Sequence, residues 1–356
     1  MNRLSKSAVF RAVALLSSAA VANSEPLNFK GEAGKPGNGK HIVLMAGDDE
    51  YRSEEACPML AKILSKRHGF DTTVLFSIDP DGGFVNPNTQ KNIPGTDAIA
   101  SADLVITGIR FRDLPNDQLQ PLADYLNSGK PIFGFRTSTH GFKTKGNQLG
   151  GIDWNNFGPE ILGEGWAGHY GEHAVQGARG AINPSHSNHP VLNGVKDIFS
   201  ESDVYGVNRV TDDNATVLVR GVVTEALIPE SPDVAGKTPQ PAFWIRQYQT
   251  PGGGKGTAVC STMGASCDLD NEGLRRLFIN TVFHLTGLEV PAAADVSYVD
   301  AYEPSRFQFL LNGNDKNHFK KLNLKPADFG YGKSPRTGTP LEPLIDGSRA
   351  TWESAK

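Results

Sequence analysis

The stretch HIVLMAGDDEYRSEEACPMLAKILSKRHGFDTTVLFS, residues 41–77, decides the fold. It opens on an unbroken apolar run, 41–47, that ends in glycine, the mark of a strand covered on both faces. Acidic residues follow, and 58–68 then carries Leu60, Ile63 and Leu64 at helical spacing on one side. Gly69 closes that helix, and 71–77 reads as a second strand. The alternation returns as a strand over 103–109, a helix over 116–128 closed by Gly129, and a strand over 131–135. This rhythm predicts an α/β fold with a parallel, doubly wound sheet.

The rest of the chain sets the limits. Its 356 residues are 38% hydrophobic and 21% charged, an ordinary globular composition. The net charge is -4 with no Lys/Arg run, which argues against a nucleic-acid partner. At the N-terminus, Arg3 and Lys6 precede a short apolar run that ends in Ala20-Val21-Ala22. This is a signal-peptide pattern over 1–22, too short for a membrane span, and cleavage near Ala22 predicts a secreted or periplasmic protein. A Gly/Pro/Lys linker over 23–40 leads into a domain over 41–290. Residues 291–356 have little periodicity and read as a C-terminal extension, partly ordered at best. Export would permit a Cys260–Cys267 disulfide with Cys57 left over; a buried Cys260 thiol is the other reading.

After Phe142 the rhythm lapses into a Gly/Trp/His-rich insertion (151–173). Three β-like runs follow, over 215–223, 241–248 and 256–262, and then a closing helix over 271–285. In open α/β sheets the ligand crevice lies beyond the carboxyl ends of the strands. The segments that matter are therefore DDEYRSEE (48–55), RFRDL (110–114), RTSTHGF (136–142) and MGASCDLDNE (263–272).

Taken with WNNFGPEILG (154–163), GHYGEH (168–173), HPVLNGV (189–195) and the run over 262–280, these segments resemble the trehalose-utilisation (ThuA-like) family, in its secreted branch. The resemblance implies a flavodoxin-like, class I glutamine-amidotransferase-like sheet and a role in carbohydrate catabolism. Its implied substrate is a small-molecule carbohydrate, a keto-sugar or trehalose-type disaccharide. An amidotransferase would place its nucleophilic cysteine where Arg136 stands and its histidine near Ala265. Both are missing, so glutaminase chemistry is excluded.

Against that frame, Asp48 and Glu50 are candidate bases at the first strand end, with Ser53 expected to cap the following helix. Arg136 and Arg110 are candidates for holding a substrate oxygen, while Arg112 is expected to pair with the acidic loop. His140 and His169 are candidates for acid/base work. A divalent metal is one candidate cofactor, with His169, Glu172 and His173 as ligands, although Gly168 and Gly171 rule out a helical His-x-x-x-His face. Trp166 and Tyr170, with Trp154 and Phe157, suit a sugar-binding wall over the crevice. Asp268 is a further crevice candidate, and Asp270 and Glu272 are expected to cap the closing helix. A sugar-binding or scaffold module without catalysis, and a metal-dependent hydrolase, remain as alternatives.

Overall fold

The computed structural model describes residues 25–310 and 317–349, so the expected signal peptide lies outside the described residues. Strand β1 (Leu27–Phe29) is short. Strand β2 (His41–Gly47) leads into helix α1 (Ser53–His68) and strand β3 (Asp71–Phe76). Strand β4 (Leu104–Ile109), helix α2 (Asn116–Asn127) and strand β5 (Ile132–Phe135) repeat the unit. After the insertion come β6 (Ala178–Ile182), β7 (Ile198–Ser200), β8 (Thr216–Val223) and β9 (Gln240–Gln249), and then β10 (Lys255–Ser261) and α3 (Glu272–Leu285).

One ten-stranded sheet runs in the order β1-β3-β2-β4-β5-β10-β9-β8-β6-β7. The stretch β3-β2-β4-β5-β10 is parallel throughout, and its order is consistent with a flavodoxin-like α/β fold. From β10 onward the pairing is antiparallel, so β9, β8, β6 and β7 extend the sheet. Helices α1 and α3 pack on one face, with Leu60, Ile63, Leu274 and Phe278 in the core. Helix α2 packs on the other with Leu119, Leu122 and Leu126. No described helix is long and apolar enough to cross a membrane.

Helix α1 starts five residues before its apolar spacing does. It opens from Arg52 in the left-handed conformation (φ 58°) with no side-chain cap. Ser53 is the first helical residue, not the cap; its Oγ accepts the Asp48 N–H at 3.0 Å. The helix ends with Gly69 at φ 83°, where the Gly69 and Phe70 N–H groups take the Ser65 and Leu64 carbonyls. Nearly all of α1 is buried, polar residues included. The reason lies far along the chain: the segment beyond residue 290 crosses its outer face. There Lys62 pairs with Asp300, the His68 ring meets the Asp295 carbonyl and Arg67 donates to the Tyr298 carbonyl. Helix α3 is capped by Asn271, whose side chain accepts the Leu274 N–H, not by the neighbouring acids.

The three thiols are free and buried, so the Cys260–Cys267 disulfide does not form. Trp154 and Phe157 are buried in the core, their rings stacked on each other and edge-on to Phe142, and do not wall a crevice. Gly158 shows why the insertion lies so tightly on the β5 turn. A Cβ there would fall 1.8 Å from the Thr139 carbonyl oxygen, so only glycine allows the approach.

Candidate functional site

The loops after β2, β4, β5 and β10 interlock at the carboxyl end of the parallel strands. Asp48 is buried and accepts the Glu50 and Tyr51 N–H groups at 2.8 and 3.1 Å, together with the Thr137 hydroxyl. Burial, with the nearby Asp49 charge, raises its pKa. All of these partners hold the loop in place, and they present Glu50 beyond it. The Glu50 carboxylate lies 3.4 Å from His173 Nε2 and 4.0 Å from Arg110 Nε. Arg110 itself pairs with Asp49 at 3.2 Å and lies over the Phe111 and Phe309 rings.

Arg136 stands at the elbow as the sequence places it, in the left-handed conformation (φ 50°), but it turns inward. Fully buried, its guanidinium lies between Tyr51 and Tyr205, 4.2 and 4.5 Å from their ring centres. It donates to the carbonyls of Ser202, Asp203 and Thr262 and lies 3.3 Å from the Asp203 carboxylate. Its Nε has no partner but is buried with the rest of the group, so the expected anion anchor is a strut. Arg112 is also fully buried; it donates to Ser77 and to the carbonyls of Arg110, Pro87 and Thr89, and not to the acidic loop. Asp268 is likewise internal. It gathers the Ser200 and Ser202 hydroxyls and the Ser202, Gly264 and Ala265 N–H groups.

The residue that organises the site is Asp203, which sequence reasoning missed. It is fully buried and left-handed (φ 62°). Its Oδ2 lies 2.9 Å from His169 Nδ1 and 3.0 Å from His173 Nδ1. Burial alone would raise its pKa, but the two imidazoles and Arg136 outweigh that and lower it. An ionised carboxylate only accepts, so both Nδ1 atoms carry protons toward Asp203 and both Nε2 atoms face away. The two rings lie 3.9 Å apart, tilted by 31°. Nothing in the run SESDVYGV (200–207) marks Asp203 as special; an acid next to a short strand is commonplace.

The histidines divide electrostatically. His140 is pushed down to about 3 by burial and by the Arg110 and Arg136 charges, so it stays neutral. Its Nδ1 lies 3.1 Å from the Thr139 hydroxyl. For His173, burial works against the charge, but the hydrogen bonds to Asp203 and Glu50 raise its pKa above the ordinary value. Trp166 is 50% exposed, with its ring 5.4 Å from His140 and 6.1 Å from His169. Phe307, from the segment beyond residue 290, packs against Tyr51 and His173.

Of the sequence candidates, the structure brings together Glu50, His140, His169, His173, Trp166 and Arg110. Tyr170 is half-buried against the core, with the Lys237 amine over its ring and the same amine on its carbonyl. Glu172, expected beside the two histidines as a ligand, is exposed; Glu50 is the carboxylate that joins them.

No protein-family model matches the sequence, and no curated protein does. Among solved structures, the chain is similar to a protein of Parabacteroides merdae described as ThuA-like. The identity is 13% and the TM-score 0.41, over 76% of this chain and 95% of that one. It is similar to the N-terminal domain of mmIFT52 at 13% identity and TM-score 0.40, over 71% of this chain and all (100%) of that one. A cytoplasmic protein of Salmonella typhimurium matches at 14% identity and TM-score 0.36, over 71% and 100%. Scores this low decide nothing about chemistry, which must come from the residues of the site.

Proposed function

We propose that the chain is an exported, ThuA-like enzyme of carbohydrate catabolism that moves a proton beside the carbonyl of an oxidised sugar. The observation that carries the proposal is geometric: the Glu50 carboxylate lies 3.4 Å from His173 Nε2, and the buried Asp203 holds the His173 and His169 rings from behind. A carboxylate and an imidazole side by side can divide the work of base and acid. Glu50, next to His173, is the base that would take the proton α to the carbonyl. His173 would stabilise or protonate the oxygen as charge develops there, with Asp203 fixing its orientation. Neutral His140 would orient a hydroxyl, and the half-exposed Trp166 ring would stack on the sugar's C–H face.

Two further observations support this reading. The motifs over 41–290 resemble the ThuA-like family, and the elbow lacks a nucleophile, which favours proton transfer over covalent catalysis. The test is solvent exchange. The full chain is incubated in D2O with a 3-keto-disaccharide such as 3-keto-trehalose, and proton NMR follows the C–H signals next to the carbonyl. Catalysed exchange is expected, falling at least 100-fold in Glu50→Gln while the sugar still binds. Binding without exchange in the native chain would overturn the enzymatic reading and make the protein a sugar-binding module.

A further inference from the structure

We propose that Glu50, His169 and His173 form a binding site for one divalent transition-metal ion, oriented by Asp203. One ligand atom from each residue lies within 4.8 Å of the other two, and no other described group of His, Cys, Asp and Glu side chains comes together in this way. A first-row ion bound at about 2.0–2.2 Å from each ligand needs only a small closing movement of these side chains. The arrangement behind the ligands is the second observation. Asp203 takes both Nδ1 atoms, at 2.9 and 3.0 Å, which fixes one tautomer on each ring and leaves each Nε2 to face an ion. A carboxylate behind a histidine is the usual outer support of a metal ligand, and here one carboxylate supports two. It is itself anchored by the buried Arg136, so the geometry is built in.

Ligand chemistry narrows the ion. Two imidazoles and one carboxylate suit zinc, manganese or iron(II) and disfavour magnesium and calcium, which take oxygen ligands. Three protein ligands leave positions for water or substrate, as in catalytic sites. The histidine side chains are 26% and 28% exposed, enough to admit them. Glu172 lies between the two histidines in sequence yet takes no part in the cluster. An ion held here would occupy the Glu50 carboxylate and the His173 Nε2 that the sugar reading uses as base and acid, so the two readings are alternatives for one site, and titration without substrate tests the ion by itself.

The experiment uses the untagged full chain, stripped with EDTA, dialysed, and titrated separately with zinc and manganese by isothermal calorimetry. One ion per chain is expected. Affinity should fall at least 100-fold in Glu50→Gln and His169→Gln, fall about 10–100-fold in Asp203→Asn, and stay unchanged in Glu172→Gln. Circular dichroism checks that each variant is folded. The proposal is overturned if neither ion binds with saturation, or if a folded Glu50→Gln chain binds as well as the native one. That second outcome would place the ion elsewhere, for instance at the His189–His284 pair, whose rings lie 5.0 Å apart. Should a variant not fold, X-ray absorption of the zinc-loaded native chain decides: two imidazole ligands support the site, and an all-oxygen shell overturns it.

Discussion

Glu55 offers the sharpest test of how the C-terminal segment is held. The carboxylate is buried at the start of α1, and each of its two oxygens takes one backbone N–H from the C-terminal segment. Oε2 accepts the Ser305 N–H at 2.8 Å, and Oε1 accepts the Thr337 N–H at 2.6 Å. The hydroxyls of Ser266, Ser305 and Thr337 add three more bonds. In Glu55→Gln one oxygen becomes an NH2 group. Hydroxyls can rotate to accept from it, but a backbone N–H cannot, and either orientation of the amide meets one. The variant therefore loses a charge-assisted bond of about 1.5–3 kcal/mol and strands a buried donor at a cost of about 1–3 kcal/mol. A net loss of about 3 kcal/mol, at about 1.4 kcal/mol per decade, predicts roughly 100-fold faster amide exchange at Ser305 and Thr337. Mass-spectrometric hydrogen exchange on the full chain reads this directly, with core strand β4 as the internal control. Exchange at both amides within threefold of the native rate would refute the reasoning.

Three other outcomes follow from buried groups. Glu54 is raised from 4.5 to about 7, chiefly by burial, against the opposing pull of Arg52. The folded state therefore keeps a proton that the unfolded chain has released, and Glu54 costs stability progressively as the pH climbs from about 4.5 to about 7. Urea midpoints of Glu54→Gln against the native chain should diverge in the variant's favour across that window, by up to about 3 kcal/mol, and a pH-independent difference would contradict this. Arg136→Met removes a buried guanidinium from three carbonyls, Asp203 and two tyrosine rings, and should lower the unfolding free energy by about 3 kcal/mol or more; a loss below about 1 kcal/mol would show that the strut is dispensable. Cys57, Cys260 and Cys267 are buried, and burial raises each thiol's pKa, so a thiol reagent should label none in the native chain and all three after denaturation; fewer than three would reveal a disulfide.

What could be read in advance followed from local pattern. The β2–α1–β3 unit was legible because an apolar run, a helical stripe and a glycine stop are all short-range signals. The three β-like runs that follow the insertion likewise became β8, β9 and β10. The position of Arg136 was legible too, while its direction was not. Which way a cation points at a strand end depends on its partners, and these are Tyr51, the 202–205 stretch and Thr262, spread across the chain. Asp203 was invisible for the same reason. The two histidines were found by proximity in sequence, yet their acidic neighbour was misjudged, because Glu172 is adjacent along the chain and Glu50 is adjacent in space. Helix α1 shows a single apolar stripe, so nothing local foretells that its polar side is also covered.

That cover has a consequence for biosynthesis. The two backbone groups that satisfy Glu55 are made 250 and 282 residues after it. At about 5–20 residues per second, the ribosome takes roughly ten seconds to a minute to deliver them. Through that interval the first turn of α1 must keep its water, and the rim around His173 lacks Phe307. A segment made long after the first helix is thus the part that closes it, and a protein arrested before residue 337 would carry a complete parallel sheet with an open seam along it.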